Sequence, residues 1–525
     1  MIFQRFGYTE KQARFDAPPL PVSLGCFIII AQRLPLRRAA EERSITMSEH
    51  DIASYLRPGR RVHLIGIGGV SMCPLAEVLS GRGVLITGSD IRESEAVAHL
   101  RSLGIPVSIG HRAENLDGAA CVVRTAAVHD ANPEIAAARA RGVPVFERAQ
   151  AWGEIMLAYR NALCIAGTHG KTTTTSMSTH ILMAAGADPT VMIGGTLPLL
   201  HAGHRVGRGD TIVMESCEYC NSFLWFYPTV AVILNIEADH LDFFKDLEDV
   251  EASFRKFAER LPEDGVLVVN RDDGNAMKTV AGVKRRLLTF GLAPDADVRA
   301  EGLVRHGGAA EFDILVHGEL YAHAALQVPG LHNVTNALAA AAGAFSLGVP
   351  GEAVERGLSS FTGAHRRFER KGTYNGAAVY DDYAHHPGEL HALFQMAMGL
   401  GYGRVVCAFQ PHTYTRTKAL FDDFVRELSV PDVTILAEIF AAREQNDVGI
   451  SSRDLASRIP GARSFDTLEE VADALRALAR PGDLILTVGA GDIYLVGESL
   501  TQNAQAAFCA LPAEPGCAGR GLPRV

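Results

Sequence analysis

The run Ala162-Leu163-Cys164-Ile165-Ala166 passes directly into Gly167-Thr168-His169-Gly170-Lys171-Thr172-Thr173. An apolar run, a glycine turn and a helix start in that order leave few folds open. They predict a buried strand whose carboxyl end meets a helix N-terminus, the arrangement of a phosphate loop. Backbone N–H groups of such a turn, with the helix end, form a concave donor array for phosphate oxygens. On this reading Gly167 to Thr173 cradle ATP, Lys171 reaches the β- and γ-phosphates and the Thr172 hydroxyl ligates magnesium. The strict pattern has a glycine six residues before the lysine, and that place is Ile165. The loop is therefore a variant in which Gly167 takes the early glycine's job.

A second apolar run, Val230 to Leu234, closes with Asn235-Ile236-Glu237-Ala238-Asp239-His240. Magnesium prefers oxygen ligands and keeps several waters. Glu215, at the end of an expected strand Thr211–Met214, suits it, and His240 could add a nitrogen. Alone, His240 would be an ordinary hydrogen-bonded loop histidine; beside a phosphate loop the metal role is the better reading.

A chain of 525 residues exceeds one core and predicts several domains. Three α/β stretches follow one another, giving an α/β fold of three consecutive domains. The expected divisions are 47–160, 161–365 and 366–505: a Rossmann-like domain, a central phosphate-loop ATPase domain and a second Rossmann-like domain. Residues 1–46 show no period and are expected outside the fold, Met47 resembling a normal protein start; 506–525 are expected to be a loose tail. Further strands are expected at Arg61–Ile65, Val84–Thr87, Val107–Ile109, Cys121–Arg124 and Gly265–Asn270. Others are expected at Ala378–Tyr380, Val405–Phe409, Val433–Ala437 and Leu484–Val488.

The net charge of −10 argues against a nucleic-acid-binding surface, which needs a basic stripe. Any phosphate-bearing ligand must be held by local devices. Cys26 to Ala31 is far too short for a membrane span of about 20 residues, so no membrane insertion is expected. Nine scattered cysteines with one C-x-x-C, Cys217 and Cys220, favour a reducing cytoplasmic setting over a disulfide framework.

The first stretch carries Gly66-Ile67-Gly68-Gly69-Val70-Ser71-Met72 after its first strand, with a helix expected near Pro74 and Asp90 further on. That resembles a dinucleotide fingerprint, although Ser71 stands at the third glycine's place. NAD is one ligand that fits. A UDP-sugar also carries a pyrophosphate and a ribose, and the same loop and Asp90 can serve it.

With Gly66–Gly69, Gly167–Thr172 and Asn235–Asp242, the chain carries His332-Asn333-Val334-Thr335-Asn336-Ala337 and Arg366-Arg367-Phe368-Glu369. Asp381-Asp382-Tyr383-Ala384-His385-His386-Pro387 and Gln410-Pro411-His412-Thr413-Tyr414-Thr415-Arg416-Thr417 follow in the same order. Over residues 57–503 the sequence resembles the Mur ligases, ATP-dependent amide-bond formers of peptidoglycan precursor synthesis. The last two strings resemble the alanine-adding branch. The resemblance implies that ATP activates the carboxylate of UDP-N-acetylmuramate as an acyl phosphate, which the amine of L-alanine attacks. It implies a cytoplasmic enzyme of cell-wall biogenesis, and hence of cell shape and division. Lys171, His240, Arg367 and Arg416 would carry catalysis.

By the same resemblance Asn333 contacts adenine, Arg367 the phosphates and Asp382 the ribose. Tyr383, His385, His412 and Arg416 line the amino-acid pocket, where a guanidinium can pair a carboxylate through two bonds; Thr413 stands where the family can have arginine. Gly66, Gly68, Gly69, Ser71, Met72, Asp90, His111 and Thr125 hold the UDP-sugar. Relatives that add the second and third stem-peptide residues carry a carbamylated lysine about fourteen places beyond the metal histidine; here Phe254 stands there, with Lys256 two places off. The alanine-adding enzyme and a murein tripeptide recycler share that lack. A non-catalytic UDP-sugar and ATP sensor is the rival from another class, and monomer and homodimer both remain open.

Overall fold

The computed structural model describes residues 51–509 apart from 126, 127, 242, 307 and 443, with side chains through residue 501. The expected N-terminal extension lies outside the described residues, as does the stretch after 509.

Five parallel strands make the first sheet: β1 (Arg61–Ile65), β2 (Leu85–Asp90), β3 (Val107–Ile109), β4 (Cys121–Arg124) and β5 (Val145–Glu147), in the order β3-β2-β1-β4-β5. The chain winds outward from β1 one way and returns to β4 on the other side. Ligand crevices of open parallel sheets form at such a switch point, beyond the carboxyl ends of the strands. Gly66–Gly69 leave β1 there and Thr125 leaves β4 beside them.

The second sheet has ten strands: β6 (Asn161–Ala166), β7 (Thr190–Leu197), β8 (Ala202–Arg205), β9 (Thr211–Glu215), β10 (Val230–Ile233), β11 (Val266–Asn270), β12 (Arg286–Gly291), β13 (Val298–His306), β14 (Ala309–Val316) and β15 (Glu319–Ala325). Their order is β15-β14-β13-β12-β11-β10-β6-β9-β7-β8. The strand before the phosphate loop is thus central, parallel to both neighbours, with Leu163 in register with Val230 on one side and Val213 on the other. That register brings the ends of β6, β9 and β10 out together, so the phosphate loop, Glu215 and the Asn235–His240 segment share one edge. Leu163, Cys164, Ile165 and Ala166 are all buried, as a parallel strand covered on both faces requires.

The helix Lys171–Ala184 follows the loop and packs on the alanine-rich helix Leu331–Ser346. Small residues let that second helix sit close to the sheet: a Cβ on Gly343 would lie 3.2 Å from a Leu163 methyl.

The third sheet holds β16 (Glu369–Tyr374), β17 (Ala377–Asp382), β18 (Arg404–Phe409), β19 (Val433–Ala437), β20 (Arg463–Phe465) and β21 (Asp483–Val488) in the order β16-β17-β21-β18-β19-β20. Only β16 runs antiparallel, on an edge. The first two sheets share a continuous core that runs from Val62 through Trp152 to Phe223 and Phe254. There the Trp152 indole N–H donates to the Ser71 carbonyl at 3.2 Å.

The α/β class and three consecutive sheets, the first parallel and the other two mixed, match the sequence reading, and the expected strands lie within a residue or a few of the observed ones. The first helix is Met72–Gly81, beginning two residues before Pro74. β5, β7, β8, β12 to β16 and β20 were not expected. β5, β8, β15, β16 and β20 lie at sheet edges and β13 is largely exposed, so they lack the continuous apolar run of a buried parallel strand.

Candidate active site

Gly170 takes φ 83°, and a Cβ there would lie 2.6 Å from the Asn336 side-chain oxygen. The turn therefore needs glycine twice over, for its backbone and for its neighbour. Lys171 opens the helix, and its Nζ folds back onto the Gly167 carbonyl, the Thr168 carbonyl at 3.1 Å and Glu218 Oε2 at 3.0 Å. Burial works against the ammonium, but Glu218 outweighs it and holds the Lys171 pKa above its ordinary value.

Glu218 is almost fully buried and also lies 3.8 Å from His240 Nε2. It stands between the phosphate-loop lysine and the predicted metal histidine. Sequence reasoning does not single it out; of the same segment it notes only Cys217 and Cys220, which form no disulfide. The available signal was a second carboxylate three residues beyond Glu215 on the same strand end.

The Thr172 hydroxyl donates to Glu215 Oε1 at 3.0 Å, and Glu215 Oε2 accepts from the Gly194 N–H at 2.6 Å. Arg367 reaches the Thr172 oxygen from the third domain at 3.4 Å. His240 has φ 54° and packs against Tyr219, ring centroids 4.7 Å apart. A hydroxyl, a carboxylate and one imidazole facing a phosphate loop fit magnesium's preference for oxygen with room for water.

A cleft of about 1080 Å³ opens beside the loop. His169, Gly170 and Thr173 line it with Asn333 from the central domain and Arg367 and Asp382 from the third. Gly167, Thr168, Lys171 and Thr172 do not line it. Thr168 is tied instead to the Glu237 N–H, which donates to its Oγ1 at 2.9 Å. Asn333 Nδ2 donates to the Pro329 carbonyl at 2.6 Å, and its oxygen accepts from Asn336 Nδ2 at 3.2 Å. Asp382 accepts the N–H groups of Phe368 and Ala384 at 2.7 and 2.8 Å, while burial pushes its pKa up to about 6. His169 sits between Glu237 and Glu389; burial opposes its charge, but the two carboxylates raise its pKa to about 10.

The four predicted amino-acid residues lie side by side. His385 packs edge-on against Tyr383 and His412, at 5.4 and 5.7 Å. Arg416 Nη1 is 3.2 Å from His412 Nδ1. Its Nε and Nη2 donate to Asp239 Oδ1 at 3.1 and 2.9 Å. Arg416 therefore already holds a protein carboxylate, on the segment that leads to His240. Beside Arg416, burial lowers the His385 pKa to about 4.

A smaller cleft of about 270 Å³ joins the first domain to the second. Gly69, Ser71, Met72, Thr125 and Glu215 line it. Gly66 and Gly68 sit in the turn behind, where the Gly68 N–H donates to Asp90 Oδ2 at 2.9 Å. His111 lies away from this cleft's lining, 3.0 Å from Ser89 Oγ and 3.3 Å from Glu134 Oε2. The fully buried Glu134, also missed, accepts from Ser89 and Asn115 at 2.6 and 2.5 Å.

Three family models match in chain order: the catalytic domain of the Mur ligase family over residues 61–160, the Mur ligase middle domain over 165–344 and the glutamate ligase domain over 366–491. The chain is 45% identical over 443 residues to a UDP-N-acetylmuramate–L-alanine ligase of Clostridium novyi, covering 84% of this chain and 96% of that protein. The chain is a Mur ligase. An Acetivibrio thermocellus ligase of the same name is 44% identical over 86% of this Mur ligase and 98% of its own length. Among solved structures, the UDP-N-acetylmuramate–alanine ligase of Thermotoga maritima superposes with a TM-score of 0.71 at 29% identity, over 85% of this chain and 99% of that one. A murein peptide ligase from Psychrobacter arcticus shares the fold, with a TM-score of 0.65 at 24% identity over 87% of this chain and 100% of that one.

In this Mur ligase the place of the carbamylated lysine is a buried phenylalanine. Phe254 meets Phe223 edge-on at 5.2 Å, and Lys256 points into solvent.

Proposed function

We propose that this enzyme joins L-alanine to the carboxylate of UDP-N-acetylmuramate at the expense of ATP. The observation that carries the reading is the shared edge of β6, β9 and β10. One end of it faces the first-domain cleft through Glu215, and the other faces the third domain through Arg367 and the Asp239–Arg416 pair. The curated relatives named for this reaction, matched over almost their whole length, support it.

ATP would lie in the large cleft, adenine near Asn333, ribose near Asp382 and phosphates toward the loop and Arg367. UDP-N-acetylmuramate would enter over Gly66–Gly69 and Asp90, its carboxylate reaching the Glu215 end of the smaller cleft. A muramate oxygen attacks the γ-phosphorus, ADP leaves, and an acyl phosphate results. The amine of L-alanine, its carboxylate held by Arg416, attacks the acyl carbon; phosphate departs and the amine gives up a proton. Lys171 would balance phosphate charge, and such transfer depends chiefly on positioning and charge neutralisation. Thr172, Glu215 and His240 would hold magnesium, which when bound neutralises phosphate charge. Among the described residues no helix is long and apolar enough to cross a membrane, and we place the reaction in the cytoplasm.

Phosphate release is the test, measured with ATP and UDP-N-acetylmuramate and one of L-alanine, glycine, L-serine or murein tripeptide. Release that needs both UDP-N-acetylmuramate and L-alanine supports the reading. Release with the tripeptide alone would reassign the enzyme to recycling, and none with any acceptor would leave a nucleotide sensor.

A further inference from the structure

The phosphate loop, the segment after β10 and the turn after β17 bring together three side chains able to bind a metal. His169, Glu237 and His386 each offer a donor atom, and the three atoms lie within 4.8 Å of one another. Glu237 Oε2 is 3.4 Å from His169 Nε2 and 3.8 Å from His386 Nδ1. None of the three belongs to the Thr172, Glu215 and His240 group assigned to magnesium.

The orientation of both rings is fixed by groups behind them. His386 Nε2 faces the Ala238 carbonyl at 3.3 Å. An N–H donor is required there, which leaves the Nδ1 lone pair as the acceptor; it now takes the Gly388 N–H at 3.2 Å. On the far side of His169, Glu389 Oε1 lies 3.3 Å from Nδ1. A carboxylate on the second nitrogen of a ligating histidine is the usual support for a metal-binding imidazole. A Cβ on Gly388 would come within 2.9 Å of Glu237 Oε2 and 3.4 Å of His169 Nε2, so glycine at this place keeps the space open.

With the His169 imidazolium giving up its proton as the ion enters, two imidazole nitrogens and one carboxylate oxygen suit zinc and its neighbours rather than magnesium. Zinc bonds of about 2.0–2.1 Å set tetrahedral ligands roughly 3.3 Å apart. The Glu237–His169 spacing is already there; His386 Nδ1, which would exchange the Gly388 N–H for the ion, has to approach Glu237 by roughly half an ångström. Glu237 is 42% exposed, which leaves a fourth position open to water.

We propose that His169, Glu237 and His386 form a binding site for a transition-metal dication of the zinc class, with Glu389 orienting His169. An ion bound there would fasten the phosphate loop to the third domain.

Cobalt(II) gives the test, because its visible d–d absorption reports nitrogen and oxygen ligation. The full-length protein, stripped with EDTA and free of nucleotide, is titrated with Co²⁺ and then with Zn²⁺. The expected result is a visible band that zinc abolishes, with affinity at least tenfold weaker in Glu237→Gln and in His386→Asn. Asparagine at 386 keeps a helix-capping side chain, and Glu237 is partly in solvent, so both variants are expected to melt like the wild type. Glu215→Gln, which alters the magnesium group, should leave the band in place. A protein without the band at millimolar cobalt, or a band unchanged in both ligand variants, would overturn the assignment.

Discussion

Glu218 Oε2 lies 3.0 Å from Lys171 Nζ, so the phosphate-loop lysine already has an anionic partner inside the protein. Both side chains are largely buried, and the nucleotide phosphates must compete with Glu218 for the same ammonium. Glu218→Gln should therefore bind ATP more tightly, by about tenfold, or about 1.4 kcal/mol. The ligand-free variant should lose about 2 kcal/mol of stability, the scale of a hydrogen bond to a charged group. Equilibrium titration and urea unfolding with and without ATP check both; weaker ATP binding would show that Glu218 aims Lys171 at the nucleotide.

Lys171→Ala should reduce turnover about a hundred- to a thousandfold, the loss seen when one donor to a developing charge is removed. The loop's turn is set by Gly167, Gly170 and Asn235, whose Oδ1 accepts the His169 N–H at 2.7 Å, so the fold should survive. Steady-state phosphate release and thermal melting together make the check.

Glu134 gives the first domain an acid-sensitive point behind the Gly66–Gly69 turn. Burial raises its pKa, but contacts from His63, Ser89 and Asn115 outweigh burial and lower it to about 2 from 4.5. A depressed carboxyl pKa stabilises the fold fully above the unfolded value near 4.5, and that contribution fades as pH falls toward 2. The shift corresponds to something on the order of 3 kcal/mol. Glu134→Gln should thus be clearly less stable than wild type at pH 6, with the gap narrowing below pH 4. Urea unfolding across pH 3–6 tests this, and a gap independent of pH would contradict it.

Arg416→Lys should raise the KM for L-alanine at least tenfold while the KM for ATP stays near wild type. A lysine cannot reproduce a guanidinium that faces Asp239 along one edge and His412 along another. Parallel titrations of the two substrates separate the effects; equal changes in both would mean that Arg416 serves domain packing alone.

The central strands and the phosphate loop were legible because each is written in consecutive residues. Ala162–Ala166 is an unbroken apolar run, and the turn after it can be little else. The outer strands β13 to β15, of which β15 is the edge, and the antiparallel edge strand β16 were not, because their half-exposed faces carry no such unbroken run. Tyr383, His385, His412 and Arg416 could be grouped only through resemblance, since register across the third sheet is what brings them together. Glu218 and Glu134 escaped notice for another reason. A carboxylate in sequence looks like a solvated surface group, and only the fold shows that these two are buried among donors.

The four residues Glu237 to His240 answer to several parts of the molecule at once. Glu237 meets His169 of the phosphate loop; the Ala238 carbonyl and the Asp239 carboxylate meet His386 and Arg416 of the third domain; His240 faces Glu218. Each contact depends on its place along a short, non-repetitive stretch. Substitutions can be absorbed one at a time, but a single inserted or deleted residue would throw every partner out of step together. In a library of random insertions screened for survival, this stretch should be among the barest in the chain.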